Sequence, residues 1–564
     1  MGSQQLITAV CTVIFDLDQG QKIESLHPPA SLSEGDQQRV AYHAFPDSTA
    51  QKQLAPASIR DSSFFFRLPR RGSSLYGFVF CRQRQDEALR RGAEQRSFVV
   101  LSPLPLHALW TALACAAGPV CLAYGPHAVV DVYEAALVFP IALPLADREA
   151  QVWIRGQQLT LALPDPATIP GTAATQTLDP GTGLPQALLA DSHKLTAGPY
   201  SHVRGRDDGE GREVVLGRVY TMSHSPWVDV YSALQPVLQH LWTLWELLVL
   251  GRRLAVIGAS PGVCSEGIAA LLSLLSPLPY AGDVRPYLTI QDPGFAALTC
   301  QGSGAAPGAP QTGAEGDGAS GAQPEGAPTL VGVTNLYFLK GLPAWPNTVA
   351  LGWGGGEASG AQTAAAAPWA PRRLARAAAG RLASLVSRPS AAGALLGAPA
   401  PSDGAWLAPG SGARAQRGVL GALVEVPAPS LALGPERGRR LAAANSAVLR
   451  RHFQELTRAL LFPLLPCITP APRPGQGSPG PGDRGPPDFD PGRVLADLAD
   501  PSGTIPDPLV QVFGTRARVV AFYARFLASR NCRAWVEQRQ ADARAWQETS
   551  LPEEATSWSH VSGV

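Results

Sequence analysis

The chain has 564 residues, too many for one compact core and enough for two to four domains of ~100–200 residues each. Its 46 basic and 45 acidic side chains leave a net charge of +1, which excludes nucleic-acid binding that rests on bulk charge. Hydrophobic residues make up 45%, the share expected of globular material rather than of a disordered or membrane-dominated chain.

Residues 5–165 read as a strand-rich first domain. Leu6 to Leu17 is rich in β-formers, Asp18-Gln19-Gly20 is a hairpin turn, and Gln21 to Leu26 returns in alternation. Further strands are expected at Ser63 to Leu68, Leu75 to Arg82 and Arg96 to Ser102. From Phe98 to Val130 there is no Asp, Glu, Lys or Arg, a run long enough to span a bilayer. Pro103, Pro105, Pro119 and Pro126 cut it, so a buried strand followed by a helix over Leu106 to Cys121 fits better, and a soluble protein is expected. Five strands with a helix make an antiparallel sheet in an α+β arrangement.

Residues 166–216 are polar and rich in Gly, Pro and Thr, the composition of a linker. The block 218–352 changes character. A long apolar helix is expected over Val228 to Leu250, then a buried strand at Arg253 to Gly258 and a helix at Ser265 to Leu275. Strands at Tyr287 to Gln291 and Leu330 to Thr334 complete an α/β pattern with a parallel sheet. A Gly/Ala/Pro-rich insert at 301–328 has too few apolar residues to offset the entropy of ordering it. Residues 353–435 are a second low-complexity stretch, with Arg372, Arg373, Arg376, Arg381 and Arg388 in a short basic segment. The last block, 436–550, is all-α: a helix over Gly438 to Leu465, a Pro/Gly loop at 468–492, and helices around Val519 to Leu527 and Arg533 to Glu548.

Signals of covalent chemistry are weak. The segment from Gly258 to Gly267 sits between a strand and a helix, where a phosphate loop would sit, yet it has no lysine and carries Glu266. Ser265 and Glu266 fit better as a helix cap and a charge complementing the helix N-terminus. There is no H-E-x-x-H, and the Ser223-His224-Ser225 tripeptide has no carboxylate to orient it. The eight cysteines are scattered without a C-x-x-C pair, which argues for a reducing compartment and against a zinc site. No basic n-region precedes the apolar run at Leu6, so no signal peptide is expected, and Leu6 spoils the myristoylation pattern that Gly2 would open. No cofactor or metal is expected.

Read in order, the ordered pieces resemble the DENN-domain proteins, and most closely the DENN domain-containing protein 6 branch. The first block carries Val13-Ile14-Phe15-Asp16-Leu17-Asp18-Gln19-Gly20-Gln21, Ala44-Phe45-Pro46-Asp47-Ser48 and Phe64-Phe65-Phe66-Arg67. The central block carries Leu244-Trp245-Glu246-Leu247-Leu248 and Leu275-Ser276-Pro277-Leu278-Pro279-Tyr280, then Asp283-Val284-Arg285-Pro286-Tyr287 and Val331-Gly332-Val333-Thr334-Asn335. In the last block, Val448 to Thr457 and the helix bearing Tyr523, Phe526 and Leu527 continue the match, whereas 353–437 matches poorly.

The resemblance implies a tripartite fold: a longin-like module, a flavodoxin-like central module and a helical module, separated by disordered inserts. It implies a guanine-nucleotide exchange factor for a Rab-family GTPase, bound nucleotide-free or with GDP, in endosomal trafficking. A non-exchanging scaffold or a Rab effector is the alternative. The GTPase would lie between the first two modules, against the Ser276–Pro286 loop and the Ser260–Glu266 turn. Tyr280, Asp283, Arg285, Ser265 and Glu266 are the contacts this implies. Arg285 pairing with Asp283 or Glu246 inside the central core is the competing reading, and Trp242, Trp245, Pro277 and Tyr287 are assigned to the core. The protein is expected in the cytoplasm, reaching recycling or other endosomal membranes transiently through its partner.

Overall fold

The computed structural model describes residues 6–47, 59–85, 93–137, 149–162, 228–295, 328–335, 345–353, 403–423, 435–467 and 489–549, apart from gaps of one or two residues, with two-residue strands at 175–176 and 214–215. The basic segment around Arg372, His224, Cys300 and most of the three Gly/Ala/Pro-rich inserts lie outside these residues.

The first five strands form one antiparallel sheet: β1 (Ala9–Asp16), β2 (Gly20–His27), β3 (Ile59–Arg70), β4 (Ser73–Gln85) and β5 (Ala93–Ser102), in the order β2-β1-β5-β4-β3. Gly20 takes φ +78°, which lets the first hairpin turn where the sequence places it. Side chains alternate between two cores. Phe65, Phe78, Phe98 and Val100 face helices α2 (His107–Tyr124) and α3 (Pro126–Leu137). Phe64, Phe66, Val79 and Val99 face the other side, where α1 (Glu34–His43) contributes Val40 and Ala41. Helix α1, capped by Ser33, carries too many polar residues to stand out in the sequence. Helix α2 runs through Pro119, as expected, and ends three residues past the expected Cys121, and no described helix is long and apolar enough to cross a membrane. A hairpin of β6 (Glu149–Ile154) and β7 (Gln157–Ala162) follows; β8 (Thr175–Gln176) and β9 (Val214–Val215) pair within the expected linker.

The expected long helix over Val228 to Leu250 is broken into α4 (Val230–Leu234), a 3₁₀ turn (Gln235–His240) and α5 (Leu241–Val249). Pro236 has no N–H for the ladder, and Val237 departs from helical geometry at φ −123°. Next come β10 (Leu254–Gly258), α6 (Pro261–Ser273), β11 (Asp283–Arg285), β12 (Pro328–Val333), β13 (Thr348–Leu351) and β14 (Gly404–Trp406). The sheet order is β11-β12-β10-β13-β14, parallel except for the last pair. The strand expected at Tyr287 to Gln291 lies instead at Asp283–Arg285: Pro286 follows it, and Tyr287 turns into the core of the first sheet. Strand β14 arises inside the low-complexity stretch and closes the sheet edge, and α7 (Arg417–Gly421) lies beyond it.

The last region is helical: α8 (Pro435–Leu461), a 3₁₀ turn (Phe462–Cys467), α9 (Pro491–Ala499), α10 (Asp507–Phe513), α11 (Arg516–Leu527) and α12 (Arg530–Thr549). One apolar cluster runs from the α2 face of the first sheet through α5 and α6 to α8, α11 and α12. Trp242 and Trp245 sit fully buried there, as expected, with indole N–H groups donating to His452 (2.9 Å) and Thr457 (3.0 Å) of α8. Pro277 is half-buried. The three layers are an antiparallel sheet with helices, a mostly parallel sheet and a helical region, an arrangement compatible with the tripartite DENN layout.

Candidate partner-binding surface

Helix α6 starts four residues earlier than the sequence suggests. Ser260, not Ser265, is its cap, accepting from Val263 N at 3.3 Å, and Pro261 opens the first turn. Its N-terminal end lies against the edge strand β3. A Cβ on Gly262 would stand 2.8 Å from the Ser63 carbonyl oxygen, so only glycine allows this approach. Ser265, fully buried one turn on, accepts from Phe65 N (3.4 Å) and donates to Gly262 O (3.2 Å). It therefore satisfies a backbone donor that an open sheet edge would leave exposed. The place where a phosphate would sit in a nucleotide-binding loop is occupied by the first sheet. Glu266 faces outward at the end of this contact; desolvation, with the Asp229 carboxylate nearby, raises its carboxyl pKa.

Tyr280 is buried, donating its hydroxyl to Thr329 Oγ1 (2.8 Å), which in turn donates to the Asp283 carbonyl (3.3 Å). Burial pushes the phenol up to about 12. Its role in the fold is to support β11 from behind. Asp283 and Arg285 are brought together, with Arg285 Nε 2.9 Å from Asp283 Oδ2. Sequence reasoning missed their third member. Arg67 of β3 reaches Asp283 Oδ1 (2.5 Å) and the Val284 carbonyl (3.1 Å), while its Nε donates to Ser74 Oγ (3.0 Å). The available signal was a lone cation inside Phe64-Phe65-Phe66-Arg67-Leu68, which on a buried strand must find an acceptor.

Glu246 is not a partner of Arg285. Its buried carboxylate pairs with Arg525 of α11 (2.8 Å) and accepts from Ser411 Oγ (2.5 Å), Gly412 N and Ala413 N (both 2.9 Å). Glu246 thus ties α5 to the segment after β14 and to the helical region. Asn531 makes a second such tie, donating to the carbonyls of Leu248 and Val249 and accepting from Ala281 N.

Behind the clasp of Arg67, Asp283 and Arg285, the first two layers share a buried polar seam. The Tyr287 hydroxyl donates to Phe45 O (3.0 Å) and accepts from Asp47 N (2.9 Å). His43 Nε2 stands 3.3 Å from Asp292 Oδ2. Desolvation lowers the His43 pKa against the opposing pull of Asp292, so the ring is held neutral. Asp47 accepts one weak bond from Ile290 N (3.4 Å), and desolvation raises its carboxyl to about 7. Among the described residues no group of His, Cys, Asp and Glu could hold a metal ion.

No family model matches the chain. It is 30% identical over 375 residues to "Protein DENND6 homolog" of Dictyostelium discoideum, covering 61% of this chain and 49% of that protein. It is 28% identical over 370 residues to "Protein DENND6A" of Gallus gallus and over 367 residues to "Protein DENND6B" of Homo sapiens, covering 61% of this chain and 53% of each relative. The chain spans about half the length of the curated relatives it matches. These matches bear out the resemblance read from the sequence: the chain is similar to DENND6 proteins.

Proposed function

From the DENND6 resemblance we propose that this chain is a guanine-nucleotide exchange factor for a Rab-family small GTPase, promoting GDP release in endosomal membrane trafficking. DENN-domain proteins are associated with Rab exchange, and the single observation that carries the reading is the match to DENND6 proteins over 61% of the chain. Exchange needs no nucleophile. A GTPase holds its nucleotide with its own phosphate loop, Mg²⁺ and mobile switch segments. A factor that binds the nucleotide-free state more tightly than the GDP state drives release by that difference in affinity.

The GTPase-facing surface is the rim of the junction between the first two layers. Glu266 and the half-buried Asp283 stand on it; Arg285 is buried and paired to Asp283, as the competing core reading has it, so with Ser265 and Tyr280 it holds the surface from behind. The chain moves from the cytoplasm to endosomal membranes through its GTPase, so alkaline carbonate should strip it from them.

The test is a panel of purified Rabs loaded with fluorescent GDP. Accelerated release from one or a few members, with preference for the nucleotide-free form, is the expected result. Preference for GTP-loaded Rab without acceleration would replace this reading with that of an effector or tether.

A further inference from the structure

We infer that Arg67 is a positioning residue, which holds the edge of the first sheet and the edge of the central sheet at one fixed angle by clasping Asp283. The inference rests on the exchange-factor reading for its consequence, but its geometry stands apart from it.

Strand β3 ends one sheet and β11 ends the other, and the two meet at the rim of the junction. Apolar contact between the layers is non-directional and resists separation better than sliding, so orientation rests on the polar ties, the Ser265 and Tyr287 bonds and the clasp among them. The clasp supplies direction. Arg67 Nε is tied to Ser74 of its own hairpin, which fixes the guanidinium plane relative to the first sheet. Its Nη1 then forks onto two acceptors of β11, the Asp283 carboxylate and the Val284 carbonyl. The second oxygen of Asp283 is taken by Arg285, so the carboxylate cannot turn away. A planar fork meeting fixed acceptors restricts orientation as a point charge cannot, so lysine at 67 would not replace it.

The clasp is half-buried, with 16% of the Asp283 side chain still exposed. That is shielded enough to hold and open enough to lie at the edge of a bound partner. A surface built from two layers binds a GTPase only if both present their contacts together, and misplacement by ~1 Å can slow a positioned reaction by about two orders of magnitude. Arg67 acts on the partner through Asp283 and Arg285, without needing to touch it.

The experiment uses the full chain with Arg67→Ala, Asp283→Ala, Arg67→Lys and the double variant Arg67→Ala with Asp283→Ala. Deuterium uptake over 59–70 and 283–285 is measured first, because it needs no GTPase. Both alanine variants and Arg67→Lys should take up label faster in both segments, and the double variant should be no faster than the more affected single one, because the two residues act as one unit. The second readout is release of fluorescent GDP from whichever Rab of a purified panel the wild-type chain discharges. The single variants should be slowed by about tenfold or more, with melting temperatures near wild type, and the double variant should be slowed no further. Wild-type uptake in Arg67→Ala, or a double variant whose effects are the sum of the two single ones, overturns the inference. If the wild-type chain discharges no Rab, the exchange-factor reading falls, and the uptake measurement alone decides the clasp.

Discussion

Replacing Asp47 by asparagine should stabilise the protein at neutral and alkaline pH. The carboxyl is 9% exposed, accepts only the long bond from Ile290 N, and has no ion-pair partner among the described lysines and arginines. The Tyr287 hydroxyl and the Cys264 thiol stand near it from the central layer, both raised by burial. Its folded pKa is about 7 against 3.8 when solvated. The unfolded chain therefore releases this proton above pH ~4, while the folded chain keeps it until about pH 7, so the unfolded state binds fewer protons across that window. Stability must then fall as pH rises from ~4 to ~7 and level off above. The slope is about 1.4 kcal/mol for each pH unit between the two values, or roughly 4 kcal/mol in all. Asparagine keeps the shape and cannot ionise. Chemical denaturation of both proteins from pH 5 to pH 8 should show the variant gaining roughly 3 kcal/mol on wild type across that range. His43, whose lowered pKa destabilises the fold on the acid side, is present in both proteins and cancels in the difference. A difference that does not change with pH, or a wild type that is the more stable at pH 8, would refute the argument.

Glu246→Ala leaves three half-buried donors and the part-exposed Arg525 without their acceptor, so denaturation should show a loss of ~1–3 kcal/mol, with Glu246→Gln milder; no measurable loss would deny the carboxylate its joining role. Gly262→Ala drives a methyl against the Ser63 carbonyl, which cannot give way as a side-chain tip can, and should lower stability by ~1–3 kcal/mol in the same assay. Ser260→Ala removes the α6 cap and should cost about 1 kcal/mol, leaving helix content unchanged by circular dichroism. Replacing 302–328 and 470–490 by short Gly/Ser linkers should leave the melting temperature within a few degrees, because these segments offer little apolar surface to bury; a broad, shifted transition would show that they pack.

How much of the site was legible differs residue by residue. Asp283 and Arg285 are two positions apart on one face of a strand, so their pairing could be anticipated from spacing. Arg67 is 216 positions from Asp283, and nothing in its neighbourhood names that partner. Ser265 looked like a cap because a helix had to begin near it. The helix begins at Pro261, which frees Ser265 to bind the other layer. Asp47 stood in a motif of the family resemblance, yet its raised pKa comes from burial at a contact with residues more than 200 positions away, against the opposing pull of the Ile290 N–H.

Local physics accounts for what could be read along the chain. Alternation over Leu6 to Leu26 with Gly20 at the turn makes the first hairpin, and the apolar runs near Trp245, Val256 and Phe522 make buried helices and a buried strand wherever they pack. These signals act within a few residues, through backbone sterics and side-chain period. Which edges meet is another matter. The docking of β3 on α6, the clasp at Asp283, the ring of donors around Glu246 and the seam at Asp47 each join residues from separate blocks. Their bonds form only once the apolar faces have brought those blocks together, because desolvation is what turns a carboxylate's choice of partner from weak into strong.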